Sequence, residues 1–232
     1  MAEQLNNEFT VNRPIDEAWP IITNVEKIAP CMPGAELQEV ATDPEKGEVY
    51  RGVVKVKLGA ISTQFKGDAY FIEKDDDAHK AVIKGKGRDT GGRGNASADI
   101  TAQATSISPT ATKVEITTDL QITGKVAQFG RGILGDVSAK LIDQFATNLN
   151  EMLDAEDDGA AESSDDTSAD EAPTGEPAVE TAGDEPAVRK IDGPAADPID
   201  LMDVSGGSIA KRIGPAIAGL LVVLFLLRRL RR

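Results

Sequence analysis

Residues 113–153, KVEITTDLQITGKVAQFGRGILGDVSAKLIDQFATNLNEML, change period partway along. At the start, Val114, Ile116, Leu120 and Ile122 oppose Lys113, Glu115, Asp119 and Gln121, the period-2 pattern of a strand with one dry face. From Val126 onward, Phe129, Ile133, Val137, Leu141, Phe145, Leu149 and Met152 recur at three- and four-residue spacing, one stripe of a long helix. That stripe needs an apolar surface to cover, and a sheet ahead of it supplies one.

Working back from that point, the same alternation recurs in residues 50–58, 65–71, 79–88 and 94–104. Short connections between these runs predict an antiparallel meander with one wet face. Residues 4–13 read as a first strand. Pro14 then suits the first position of a short helix carrying Trp19 and Ile22, with Asp16 and Glu17 in its first turn. Residues 25–29 read as a second short helix. The prolines and glycine of APCMPGAEL (29–37) break regular structure before the second strand. The fold class is α+β: a curved antiparallel sheet around a long C-terminal helix.

The inward positions of the middle strands are small: Gly67, Ala69, Ala81, Gly85, Gly87, Ala96, Ala98 and Ala102. Interiors pack densely, so small residues facing a helix leave two outcomes. Either the helix sits close, or an apolar space remains for a ligand. A straight helix cannot stay close to a curved sheet along its whole length, which points to a cavity. Trp19, Met32, Phe65, Phe71, Phe129, Ile133 and Val137 are the candidate lining.

Charge divides the chain into three regimes. Residues 1–154 carry 17 Lys+Arg and 23 Asp+Glu, residues 155–207 carry 2 and 16, and residues 208–232 carry 6 and none. Only the first regime has the apolar content for a core, and its size is that of one domain. The second, poor in large apolar residues, is expected to remain disordered as an acidic tether of about 40 Å root-mean-square span. Within it, residues 188–191 (VRKI) and 199–202 (IDLM) are small apolar islands.

The third regime is expected to attach the protein to a membrane. Lys211 and Arg212 precede a charge-free run from Ile213 through Leu220 and Phe225 to Leu227, and Arg228 and Arg229 follow it. As a helix this run spans about 22 Å, short of the ~30 Å hydrocarbon core, so a spanning helix and a shallow interfacial one both remain open. The N-terminus lacks the basic and apolar regions of a signal peptide, which places the domain on the cytoplasmic face.

Catalytic chemistry is sparse. His79 is the single histidine and falls in an alternating run, reading as a strand residue. Cys31 is the single cysteine, so neither a disulfide nor a Cys/His metal site is expected. GRDTGGRGNA (87–96) lacks the GK[ST] ending of a phosphate loop and reads as a turn and strand entry. Asp75, Asp76 and Asp77 read as a hairpin turn. Lys80, Lys84, Lys86 and Arg88 form a basic stripe without aromatic neighbours on a net acidic domain, an arrangement that argues against nucleic acid.

NEFTVNRPIDEAW (7–19), APCMPGAEL (29–37), VKVKLGAIS (54–62), FKGDA (65–69), GRGNASADITA (92–102) and TDLQITGKVAQFGRG (118–132) resemble the carbon monoxide dehydrogenase G-subunit family, within the START/polyketide-cyclase (SRPBCC) superfamily of helix-grip folds. The resemblance spans roughly residues 4–152. It implies an apolar pocket between sheet and helix and a molybdenum-containing dehydrogenase or related hydroxylase as partner; the residues themselves, as read above, offer no catalytic set. The implied role is accessory: a quinone carried as cargo between bilayer and enzyme, or, alternatively, a scaffold that recruits the dehydrogenase to the membrane without a ligand. A cyclase-like enzyme would need an acid or base inside the pocket.

Overall fold

A computed structural model describes residues 1–58, 61–162, 188–191 and 199–200. Strand β1 (Ala2–Val11) leads into helices α1 (Ile15–Ile22) and α2 (Val25–Ile28) and a 3-10 turn, Ala29–Cys31. Six strands follow: β2 (Ala35–Asp43), β3 (Gly47–Leu58), β4 (Ile61–Asp75), β5 (Lys80–Asp89), β6 (Gly94–Ser108) and β7 (Ala111–Gly124). A second 3-10 turn, Lys125–Phe129, opens the long helix α3 (Gly130–Glu162). Two short strands, β8 (Val188–Lys190) and β9 (Ile199–Asp200), complete the described chain.

The expected meander is present: β2 through β7 pair in sequence order, and β1 closes the far side against β7. Some local expectations are corrected. Pro14 is the N-cap of α1 rather than its first helical residue, and its carbonyl accepts the Ala18 N–H at 2.8 Å. His79 is not on a strand; it sits in the β4–β5 turn at φ 50° with its ring edge-on to Trp19. The acidic segment does not begin at 155, because α3 continues to Glu162, held at this end by Arg13 pairing with Asp154 and Asp157 and by Lys27 pairing with Glu156.

Both apolar islands contribute strands, where the whole stretch 155–207 was expected to be structureless. β8 adds to the open edge of β2, the Ile191 N–H donates to Gln38 O at 2.9 Å, and Arg189 pairs with Glu26. β9 lies parallel to β3 at Val56 and Lys57, beyond the point where β2 starts to pair with β3 at Val54. The free edges of β2 and β3 have backbone groups to satisfy, which gives these short strands their place. The tail residues Lys211, Arg212, Ile213, Leu220, Phe225, Arg228 and Arg229 lie outside the described residues. Among the described residues no helix is long and apolar enough to cross a membrane.

The core sits at one end of the sheet. Phe145 meets Phe9 edge-on at 5.4 Å, and Leu149 and Leu153 bury against Val11, Val114, Ala81 and Ala104. Polar side chains of α3 fix this end to its neighbours. Asn150 accepts from the Asn12 N–H at 2.8 Å and donates to Thr10 O at 2.9 Å; Asn148 donates to Cys31 O at 2.9 Å; Ser138 donates to Asn7 at 2.6 Å. The hydrophobic stripe thus carries the burial, while the amides fix the helix's position along β1.

Curvature is set in a row of register partners crossing the sheet: Gly52, Gly67, Gly87 and Ala96. A Cβ on Gly67 would lie 1.9 Å from Lys86 O, and one on Gly52 would lie 2.3 Å from Glu36 O. The strands close to these distances because no side chain intervenes. Beside this row the glycine-rich β5–β6 turn is built on Asp89, whose side chain is fully buried. It accepts from the Arg93 backbone N–H at 2.8 Å, from the Arg93 guanidinium and from the Thr63 hydroxyl, while Arg93 also donates to Ser62 O at 2.8 Å.

Two outcomes follow for thermal unfolding. Gly67→Ala lowers Tm by about 10 °C or prevents folding, since its Cβ meets backbone, whereas Gly85→Ala, with nothing within 4 Å of the added atom, leaves Tm unchanged or raises it by about 1–3 °C. The Arg93 side chain, then the Thr63 hydroxyl, hold the Asp89 carboxyl well below the usual carboxylate range. A lowered native pKa means this contribution is present above the unfolded value of about 3.9 and lost as pH falls below it toward the native one. Asp89→Asn should therefore melt several degrees below wild type at pH 7, with the gap narrowing below about pH 4; a gap independent of pH would contradict the ion-pair account.

Candidate functional site

The inner face of the sheet can be read row by row from the strand register. At the core end, Phe9, Val114 and Ala104 form one row, and Asn7, Ile116, Ala102 and Ala81 the next. Beyond them lie Leu5, Thr118, Ile100, Ile83 and Phe71; then Glu3, Leu120, Ala98, Gly85, Ala69, Tyr50 and Val40; then the glycine row. Side chains shrink along this series toward the middle strands.

Helix α3 does not fill the space this leaves. It runs in the same direction as β1: Ser138 bonds Asn7 and Asn150 bonds Thr10, so the turns before Ser138 continue alongside Leu5 and Glu3. Its closest backbone approaches are to β1 and the two 3-10 turns, with Phe145, Leu149 and Leu153 reaching Ala81 and Ala104 only at the core end. Ile133 is 44 % exposed, and an added Cβ at Gly132, Gly135 or Gly85 would meet no atom within 4 Å. Ala69, Gly85, Ala98, Ile83, Ile100 and Leu120 are only half-buried. The face of β4–β7 between α3 and the β2–β3 side is therefore the candidate apolar site, a trough in the reading developed below.

The predicted lining residues divide between its ends. Trp19 is buried in the core, its indole N–H donating to Asp76 at 2.7 Å, and Met32 packs beside that core. Phe71 is half-buried at the core end, edge-on to Tyr50 at 6.4 Å. Phe65 is half-buried at the glycine-row end, 3.4 Å from where a Gly87 Cβ would stand, and about 20 Å along β4 from Phe71. Val137 is half-buried and Ile133 exposed on the α3 wall; the Phe129 side chain lies outside the described residues. Phe65, Phe71 and Val137 are thus half-buried and Ile133 exposed, while Trp19 and Met32 lie in or beside the packed core.

Sequence reasoning passed over Leu5, Tyr50, Ile83, Ile100 and Leu120 as lining. Their alternation was visible, but only the register puts them in rows with Ala69, Gly85 and Ala98. Tyr50 is the polar exception. Its hydroxyl donates to Glu48 at 2.7 Å, and burial, then that carboxylate, hold its proton on more tightly than in water. The Cys31 thiol is likewise pushed up by burial and lies 3.6 Å from the Met152 sulfur. Among the described residues no group of three or more His, Cys, Asp or Glu is placed to hold a metal. Two hollows with polar walls lie on the opposite, outer face of the sheet, one around Lys66, Lys86 and Arg88 and one around Lys55 and Arg93.

Comparison with known proteins places this architecture. No curated protein matches the chain. Among solved structures, a conserved protein from Geobacillus kaustophilus is similar at TM-score 0.56 and 17 % identity, over 67 % of this chain and 97 % of its own. The Zhui aromatase/cyclase from Streptomyces sp. R1128 is similar at TM-score 0.51 and 14 % identity, over 69 % of this chain and 98 % of its own. TTHA0849 from Thermus thermophilus gives TM-score 0.50 and 15 % identity, over 66 % and 99 %. These likenesses show the fold, a curved antiparallel sheet with a long C-terminal helix. The sequence profile for the carbon monoxide dehydrogenase G subunit (CoxG) matches residues 8–154, nearly all of the sheet and most of α3, and the chain belongs to that family.

Proposed function

We propose that this protein is a membrane-tethered accessory carrier of a carbon monoxide dehydrogenase or related molybdenum hydroxylase, holding a quinone or similar apolar molecule in the trough between sheet and α3. Family membership supports the accessory role. The observation that carries the ligand reading is the open space at Gly85, where an added Cβ would meet no atom within 4 Å. A planar, apolar ring suits a floor of glycine and alanine bounded by Phe65, Phe71, Ile83, Ile100 and Leu120, and transfer of such a molecule out of water is favourable. Carriage requires no bond to be made or broken, which agrees with a trough whose walls are largely aliphatic and aromatic.

The membrane end of the proposal rests on the C-terminal sequence. The described chain ends at Asp200 beside Lys57, and residues 201–212 separate it from the apolar run that starts at Ile213. A twelve-residue spacer can reach at most about 40 Å. On this reading the distance between trough and bilayer is set by the segment after β9, not by the whole of 155–207.

Extraction of the full chain isolated from membranes, followed by mass spectrometry, should return a near-stoichiometric quinone or comparable apolar molecule. Gly85→Phe should remove most of it while the protein stays folded, because the added ring occupies the trough. Retention of ligand by Gly85→Phe would move the site elsewhere. Wild-type protein free of ligand would favour the recruiting scaffold, and turnover of a bound small molecule would favour a cyclase-like enzyme.

A further inference from the structure

The sheet's outer face carries a second feature that the ligand trough does not use. A groove of about 460 Å³ lies behind the glycine row, floored by Gly67, Gly87 and Ala96 and walled by Lys66, Lys86, Arg88, Asn95, Gln121 and Thr123. The three cations are exposed, and among the described residues none of them is held in an ion pair. Their stripe-mates differ: Lys84 is bound to Asp99 at 2.6 Å and Lys80 to Glu73 at 3.3 Å. Asp68 is the one carboxylate lining the groove, leaving a local excess of two positive charges. Residues 1–154 are net acidic, with 17 basic and 23 acidic residues, so this excess is not a general property of the surface.

We propose that this outer groove is a docking surface for an anionic lipid bilayer, with Lys66, Lys86 and Arg88 taking the phosphates of its headgroups. The inference rests on the membrane attachment proposed above and assigns the face that meets the membrane. Chain geometry favours a bilayer over a soluble anion. β9 brings the last described residue, Asp200, alongside Lys57, whose β4 partner Ser62 is about 13 Å along the strand from Lys66. The apolar run beginning at Ile213 is tethered at that same end of the sheet. Lys66 and Arg88 are register partners, so their side chains project together from adjacent strands. Val54, 38 % exposed, and Phe65 pair at this end too, where the trough opens. Docking by the groove would therefore bring the glycine-row end of the sheet, with Val54 and Phe65 at its margin, to the bilayer, while the core end with α1 and α2 points away.

The full chain with a fluorophore on Gln121→Cys tests this, since Cys31 is buried and unreactive toward the label. The chain is bound to phosphatidylcholine vesicles with or without about 30 % phosphatidylglycerol, containing a headgroup quencher, and flotation is scored in parallel. Quenching should be strong on anionic vesicles and roughly fivefold or more weaker on neutral ones. It should fall similarly in Lys66→Gln/Lys86→Gln/Arg88→Gln and in high salt on wild type, with flotation retained in each case. A fluorophore on Asp16→Cys, at the α1 end, should stay unquenched.

Equal quenching on both vesicles, or quenching at Asp16→Cys instead, overturns the docking surface while leaving the anchor intact. Loss of flotation by wild type on both vesicles overturns the anchor as well. Suppression of quenching by inorganic phosphate at constant ionic strength would assign the groove to a small soluble anion instead of a bilayer.

Discussion

The close approach of β4 to β5 at Gly67, where a methyl group would stand 1.9 Å from a backbone carbonyl, governs the rest of the molecule. The row from Gly52 through Gly67 and Gly87 to Ala96 lets the sheet fold over on itself there. A curved sheet and a straight helix can share contact over only part of their length. The contact is spent at the core end, where Phe145, Leu149 and Leu153 fill the space over Val11, Val114 and Ala104. At the other end the same geometry leaves an added Cβ at Gly85 without a neighbour, the opening on which the proposed trough rests. Curvature and the placement of the core follow from one steric allowance.

Much of this was legible in the sequence, for a physical reason. Period-2 and period-3.6 patterns report which side of an element is dry, and the small inward residues Ala69, Gly85, Ala98 and Ala102 were identifiable from alternation alone. Pairing between strands was not. Gly52, Gly67 and Gly87 lie 15 and 20 positions apart along the chain, and only the register reveals them as a single bend line. The burial of Trp19 in the core had no signal, because a lone tryptophan has no periodicity to fix its direction; its indole bonds Asp76 in the turn that the three aspartates had marked. The Asp89–Arg93 clamp read as a glycine-rich turn because its partners sit four residues apart on either side of it.

β8 and β9 were harder still. A strand of two or three residues carries no repeat, and low apolar content around it argues for a chain that stays in solvent. What recruits these segments is the unmet hydrogen bonding of the β2 edge and of β3 past Val54. Their consequence is organisational: the last described residue, Asp200, lies beside Lys57 at the glycine-row end of the sheet, far from the end of α3. The core end, with its amide clamps and its salt bridges to Arg13 and Lys27, provides the rigid support against which that arrangement works.

The central claim is that an apolar molecule occupies the trough over the small residues of β4–β6. It is tested most directly by methyl NMR of the full chain carrying 13C-labelled alanine, titrated with a short-chain quinone. Binding in the trough predicts saturable shifts of Ala69, Ala96 and Ala98, with little change at Ala18 and Ala104 in the packed core. Shifts confined to outer-face or loop alanines such as Ala41 and Ala78, or no saturable shift at all, would contradict the account.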